Sequence, residues 1–152
     1  MLSVVFVCTG NICRSPVAEI VLREHLRRAG VEGVVVSSAG LQGYHVGEPA
    51  DARSAATLER AGYPTEHVAA AVSAEDLGAD LLVALDSGHA RALRGMVADP
   101  ERVRLLRSFD PEAGSDEVPD PYYSGRAAFA EVLGMVEAAT PGLLRWVRER
   151  QR

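Results

Sequence analysis

The sequence predicts an α/β fold: a four-stranded parallel sheet with helices on both faces. Three observations lead there. Four short runs are nearly all apolar and rich in β-branched residues, as strands buried on both faces of a parallel sheet are. Between them lie segments whose apolar residues recur at helical spacing, and Gly, Ser and Pro stand at the joints. Strands alternating with helices imply right-handed βαβ crossovers.

Leu2 to Val7 is the first strand, too short and too β-branched for a helix. A turn at Thr9 to Cys13 leads to a helix in which Ser15 is placed to cap and Pro16 to occupy the first helical position, with Val17, Ile20, Val21 and Leu26 as its apolar stripe and Gly30 as its stop. Val34 to Ser37 reads as the second strand. After a loop from Gly40 to Pro49, Ala50 to Ala61 reads as a helix stopped by Gly62. Leu81 to Leu85 is the third strand, Ser87 caps a helix through Met96, and Val103 to Leu106 is the fourth strand. Asp110 to Tyr123 is a long loop rich in Pro, Asp and Gly, a kind of segment usually kept for function. From Gly125 on, Phe129, Val132, Leu133 and Val136 mark a helix, and Thr140-Pro141 restarts one carrying Leu143, Leu144 and Val147.

The 152 residues, 47% hydrophobic, suit one domain spanning residues 1–152, with no internal repeat. A net charge of -5 argues against nonspecific nucleic-acid binding. Every one of the 16 basic residues is Arg, a planar fork suited to phosphate or carboxylate. No signal core precedes the first turn, and no apolar stretch is expected to reach membrane-spanning length, so a cytoplasmic location is the expectation, with export lacking a signal peptide left open. In a reducing compartment Cys8 and Cys13 read as reactive thiols, and with no His at ligand spacing beside them no metal and no cofactor is expected.

Cys8 falls at the carboxyl end of the first strand, where parallel sheets bind ligands. A turn from strand directly into helix aims unpaired backbone N–H groups into one concavity beside the positive end of the helix dipole, a natural anion site. The same field favours thiolate over thiol at Cys8, making it a nucleophile. Arg14, six positions on, can fold over the concavity and grip two oxygens of a phosphoryl group.

The spacing C-x5-R-S is a phosphatase signature, and the string VCTGNICRSP resembles the active-site loop of the low-molecular-weight protein tyrosine phosphatases. The stretch DPYY, Asp120 to Tyr123, is similar to that family's general-acid loop. Between them SSAG (Ser37 to Gly40), GYHVGEPAD (Gly43 to Asp51) and LLRSFDP (Leu105 to Pro111) follow in family order, so the resemblance covers nearly the whole chain. It implies a doubly wound, flavodoxin-like three-layer sandwich and a two-step hydrolysis of phosphotyrosine. Cys8 attacks phosphorus to form a phosphocysteine that water then cleaves, and Asp120, held between Pro119 and Pro121, gives a proton to the leaving group and later acts as base. The loop residues Thr9, Gly10, Asn11, Ile12 and Cys13 cradle the phosphate. Ser15 donates to the Cys8 sulfur, and Asn11, tolerant of a left-handed turn, is held by Ser38 and His67.

Ile12, Tyr44, Tyr122 and Tyr123 are the expected pocket walls, with Tyr44 and Tyr122 forming a slot that lets phosphotyrosine reach Cys8 and leaves the shorter phosphoserine stranded. The family's arginine phosphatases carry Thr where this chain has Ile12, so aryl phosphates are the expected substrates. Alternatives on the same scaffold are a phosphoarginine phosphatase, an arsenate reductase, for which a third cysteine is missing, and a catalytically silent phosphotyrosine-binding module, which needs neither nucleophile nor acid. Two readings stand for Cys13: packing under the loop, or trapping an oxidised Cys8 as a disulfide. His67 is divided between supporting Asn11 and decorating its loop, and Asp86 between orienting Arg14 and capping a helix. His25, His45 and His89 read as surface or packing residues, and Arg145, Arg148, Arg150 and Arg152 as complements to a helix C-terminus. The chain departs from the family at Ala69 to Ala71, where a basic or amide residue is common, which leaves any contact from that loop to Asn11 or substrate open, and at Tyr44, where bacterial relatives often have Trp. The expected partners are phosphotyrosine proteins as substrates and a tyrosine kinase acting on Tyr122 or Tyr123, with no nucleic acid, no membrane, and a monomer or weak dimer.

Overall fold

The computed structural model describes residues 1–152. Its elements are β1 (Leu2–Cys8), α1 (Arg14–Arg28), β2 (Val34–Gly40), α2 (Ala52–Arg60), α3 (Ala74–Leu77), β3 (Leu81–Ala84), α4 (Ser87–Arg94), β4 (Val103–Leu105) and α5 (Arg126–Arg150), with single 3₁₀ turns at Pro100–Arg102 and Leu106–Phe109. The sheet is parallel throughout, in the order β2-β1-β3-β4. Chain direction across the sheet reverses between β1 and β3, so the crevice beyond their carboxyl ends is the topological switch point. Cys8 ends β1 there, paired with Gly40 of β2, and Asp86 follows β3.

Alternation along β1 supplies both faces of the sheet. Val4, Phe6 and Cys8 join a core of 24 buried residues with α1, α5 and Leu58 of α2, while Val5 and Val7 join a core of eight with Leu82, Ala84, Ala90, Leu93 and Val103. The sandwich is therefore thick on the α1–α5 side and thin on the α4 side.

Several boundaries differ from expectation, each for a local reason. Helix α1 begins at Arg14 with Cys13 at its N-cap and no side-chain cap. Ser15 lies inside the first turn because its hydroxyl bonds Cys8 and Asn11 instead, and Pro16 is still tolerated there because first-turn amides have no intrahelical acceptor. Asp51 caps α2, which begins at Ala52 and not at Ala50, and Asp86 takes the capping role expected of Ser87, which becomes the first residue of α4. Strand β2 runs on to Gly40, and α3 arises from a Ser73–Asp76 capping box.

No restart occurs at Thr140-Pro141. Helix α5 is continuous, with Pro141 inside it and the Thr140 hydroxyl donating back to the Val136 carbonyl at 2.8 Å. Burial of Leu143 and Val147 in the main core outweighs the one backbone bond that Pro141 cannot make. The expectation that no stretch reaches membrane-spanning length also fails: α5 is long and apolar enough by length and composition. Its apolarity is explained by the buried stripe from Phe129 to Val147.

Candidate active site

The loop between β1 and α1 is shaped from outside. The carbonyls of Cys8, Thr9, Asn11 and Ile12 accept from Leu41 N, Gln42 N, His67 Nε2 and Asp51 N at 2.7–3.0 Å. Since the C=O and N–H of one peptide unit point oppositely, the amides that follow these carbonyls turn into the concavity as an anion nest. Asn11 has φ 59, a left-handed conformation that Asn tolerates. It is fully buried, with Nδ2 donating to Ser15 Oγ (2.8 Å) and Ser38 Oγ (2.9 Å) and Oδ1 accepting from Ala70 N (2.9 Å). The alanine run thus reaches Asn11 through its backbone, which answers for Asn11 the contact that the sequence left open. Gly40 lets β2 lie against this loop: a Cβ there would sit 2.9 Å from the Thr9 carbonyl oxygen and 3.1 Å from Asn11 N.

Cys8 is buried with its sulfur 2.9 Å from Ser15 Oγ. Arg14, whose side chain is only 3% exposed, donates from Nη1 to Asp86 Oδ2 (2.9 Å) and to the Val118 carbonyl (3.0 Å). Its Nη2 lies 3.4 Å from Thr9 Oγ1 and 3.7 Å from Asp120 Oδ2. Asp86 both orients Arg14 and caps α4, so the two readings of this residue are compatible. Burial would raise its pKa, but the His89 amide, the His89 ring and Arg14 together hold the carboxyl below the usual carboxylate range.

Asp120 is half exposed, and its Oδ1 accepts from Tyr122 N at 3.0 Å in an Asx turn. The loop that carries it is pinned two residues upstream, where Val118 is buried, donates its N–H to Leu85 O (2.9 Å) and accepts from Arg14. Ser87 N donates to Glu117 Oε2 at 2.7 Å and Arg107 Nη1 to the Glu117 carbonyl at 2.8 Å. A cleft of about 280 Å³ brings together Cys8, Arg14 and Asp120 with Thr9, Gly10, Ile12, Cys13, Tyr44, His45, Tyr122 and Tyr123. Tyr122 packs edge-on against Tyr123 with centroids 5.0 Å apart, and the Arg53 guanidinium lies 5.4 Å from the Tyr122 ring. Tyr123 projects into solvent at 95% exposure. Burial, reinforced by the charge of Asp51, pushes the Cys13 thiol up to about 12.

Four residues around the site carry no sequence signal of their role. Glu19, on α1, accepts from the Ser38 hydroxyl, pairs with Arg23 and lies 3.9 Å from His67 Nδ1, bracing both supports of Asn11 from below. His45 lines the cleft, its Cδ2 3.0 Å from where a Cβ on Gly10 would stand. His89 is buried with Nε2 2.9 Å from Thr9 Oγ1, so it is neither surface nor mere packing. Gly40 acts through its missing side chain. The surface or packing expectation holds for His25, which bonds Tyr63 Oη at 2.9 Å.

A sulfur under an anion nest, with a guanidinium at its rim and a carboxyl above, suits phosphoryl transfer to sulfur, and the fold and site define a cysteine-dependent phosphatase. The family model for low molecular weight phosphotyrosine protein phosphatases matches residues 3–152. A Mycobacterium tuberculosis protein named low molecular weight protein-tyrosine phosphatase A is 53% identical over 152 residues, covering 98% of this chain and 93% of that protein. A Streptomyces coelicolor low molecular weight protein-tyrosine-phosphatase is 53% identical over 154 residues, covering 97% and 94%. Among solved structures, an Entamoeba histolytica protein tyrosine phosphatase with Hepes in its active site superposes with a TM-score of 0.94 at 29% identity, covering 100% of both chains. The chain belongs to the low-molecular-weight protein-tyrosine phosphatase family, enzymes that hydrolyse phosphotyrosine through a phosphocysteine intermediate.

Proposed function

We propose that in this chain Cys8 is the nucleophile, Arg14 the clamp on the transferring phosphoryl group, and Asp120 the acid that protonates the leaving phenol and then the base that activates water. The observation that carries this reading is the convergence of Cys8, Arg14 and Asp120 on one cleft, with Asp120 3.7 Å from Arg14. Attack by sulfur breaks the P–O bond to the phenol, which leaves with the Asp120 proton. Water then gives one of its own protons to Asp120 as its oxygen attacks phosphorus and breaks the P–S bond, which restores the acid and the thiolate and releases phosphate. Ser15, 2.9 Å from the sulfur, stabilises it as thiolate before attack and as leaving group afterwards. The amide nest and Arg14 hold the equatorial oxygens through both steps.

Residues 1–152 act as one unit on phosphotyrosine proteins in the cytoplasm, as a monomer or weak dimer, without nucleic acid or membrane. The aromatic walls Tyr44 and Tyr122, with Ile12, favour aryl phosphates over phosphoarginine. Exposure of Tyr123 supports it, ahead of Tyr122, as the residue a tyrosine kinase would reach. Phosphotyrosine hydrolysis by the parent, Cys8→Ser and Asp120→Asn, with phosphoarginine and arsenate as competing substrates, tests the reading. Cys8→Ser should be inert, and full turnover without the thiol, or better turnover of phosphoarginine, would overturn it.

A further inference from the structure

Beside the phosphate loop stands a buried histidine that the hydrolysis does not consume. His89 of α4 is 5% exposed, with Nε2 2.9 Å from Thr9 Oγ1 and Nδ1 3.3 Å from Asp86 Oδ1. The other oxygen of Asp86 accepts from Arg14 Nη1, and Arg14 Nη2 reaches Thr9 Oγ1, so Arg14, Thr9, His89 and Asp86 close a ring of polar contacts.

The direction of each bond follows from what each group can do. Arg14 only donates, so Thr9 Oγ1 accepts from it and has one proton left to give, with His89 Nε2 as the acceptor in reach. A ring nitrogen that accepts carries no proton, which places the imidazole proton on Nδ1, facing the Asp86 carboxylate. Nδ1 makes no hydrogen bond; with the proton there, its 3.3 Å contact to Asp86 Oδ1 is an attraction between N–H and carboxylate, whereas the other tautomer sets a lone pair against that charge.

We propose that His89 is a positioning residue of the phosphate loop: by accepting the Thr9 hydroxyl it fixes that hydroxyl's direction and the seat of Arg14, and its protonation releases both. Protonated, Nε2 becomes a donor, Thr9 Oγ1 faces two donors and must redirect its own proton, and a second cation stands beside Arg14. The charged groups acting on His89 are Asp86 at the start of its own helix, Arg14 of α1, and Asp120 and Glu117 of the acid loop. Burial lowers its affinity for a proton, Asp86 offsetting part of the effect, so the loop is set at neutral pH and released in acid.

The inference rests on the phosphatase assignment, but its first test does not need turnover. NMR of the full chain with isotope-labelled histidine, His89 being assigned by its loss in His89→Gln, should show the Nδ1–H tautomer at neutral pH. An Nε2–H tautomer overturns the proposal. The second test follows inhibition by inorganic phosphate, and kcat/KM for p-nitrophenyl phosphate, from mildly acidic to neutral pH. His89→Gln and Thr9→Val should each weaken phosphate inhibition roughly tenfold, lose one acid-side inflection of the parent, and give a double variant no worse than either single one, while Thr9→Ser, which keeps the hydroxyl, should retain the inflection that Thr9→Val loses. Additive losses, an inflection that persists in His89→Gln, or a lowered Tm with unchanged phosphate inhibition would each overturn it. A parent that binds phosphate yet turns nothing over would count against the phosphatase assignment, leaving the tautomer to decide for His89.

Discussion

Arg14 and Asp86 meet in a 2.9 Å hydrogen bond from Nη1 to Oδ2 across the switch point of the sheet, and the other oxygen of the same carboxylate caps α4. The guanidinium is therefore positioned by a helix start on another strand's connection. Asp86→Ala should leave Arg14 free to drift by about the 1 Å that costs a positioned group roughly 10²-fold. Loss in kcat/KM for p-nitrophenyl phosphate checks this. Asp86→Asn should recover much of the helix capping, though less of the activity, because an amide carries no charge for Arg14.

Removing the acid should matter in proportion to the leaving group. Asp120→Asn is expected to slow kcat for phosphotyrosine or phenyl phosphate by roughly 10²- to 10⁴-fold. A more acidic leaving group such as p-nitrophenolate needs less protonation, so its loss should be smaller. Equal losses on both substrates would contradict the role.

Gly40→Ala tests the close approach of β2 to the phosphate loop. Its new methyl would sit 2.9 Å from the Thr9 carbonyl oxygen, a backbone atom that cannot swing aside. Overpacking of this kind costs roughly 1–3 kcal/mol. Thermal unfolding should show it, and phosphate inhibition should weaken as well, because the strained atoms belong to the anion nest.

Acid should destabilise the fold in two stages. The proton affinity of His89 is lowered in the folded chain, so the unfolded chain takes up that proton first as pH falls below the ordinary value of 6.5. The His89 contribution is thus full above 6.5 and is lost as pH falls toward the lower folded value. Asp86 behaves alike in a more acidic window, below its ordinary 3.8. Urea unfolding against pH should show the first decline in the parent and a flatter profile in His89→Gln.

Cys13, held as a thiol by a pKa near 12, should rescue an oxidised Cys8 slowly at neutral pH. Disulfide closure needs the Cys13 thiolate to attack the Cys8 sulfenic acid and expel hydroxide. After peroxide treatment, the fraction of activity that reductant restores should rise with pH in the parent and stay flat in Cys13→Ser. Identical recovery in both would leave Cys13 a packing residue.

What could be read beforehand was whatever is local. Leu2 to Cys8 announces a buried strand by composition, and the Cys8 to Ser15 stretch carries its chemistry in consecutive residues. The supports of that loop come from across the chain and often through groups no side-chain pattern displays: Ala70 contributes an amide and Gly40 an absence. Glu19 looks like any acidic residue on a helix until Ser38, Arg23 and His67 are folded around it. Thr140-Pro141 misleads because local helix signals were weighed without the burial of Leu143 and Val147, which only the tertiary core supplies.

The pinning of the Thr9–Cys13 loop has a consequence for biosynthesis. The nucleophile and its clamp leave the ribosome first, but Asn11 waits for Ser38, His67 and Ala70, and Arg14 for Asp86 and Val118. These are contacts of long sequence separation, which form late. A chain truncated before Asp86 and Val118 therefore bears the signature cysteine without these supports of its cradle, and its turnover of p-nitrophenyl phosphate should fall to background.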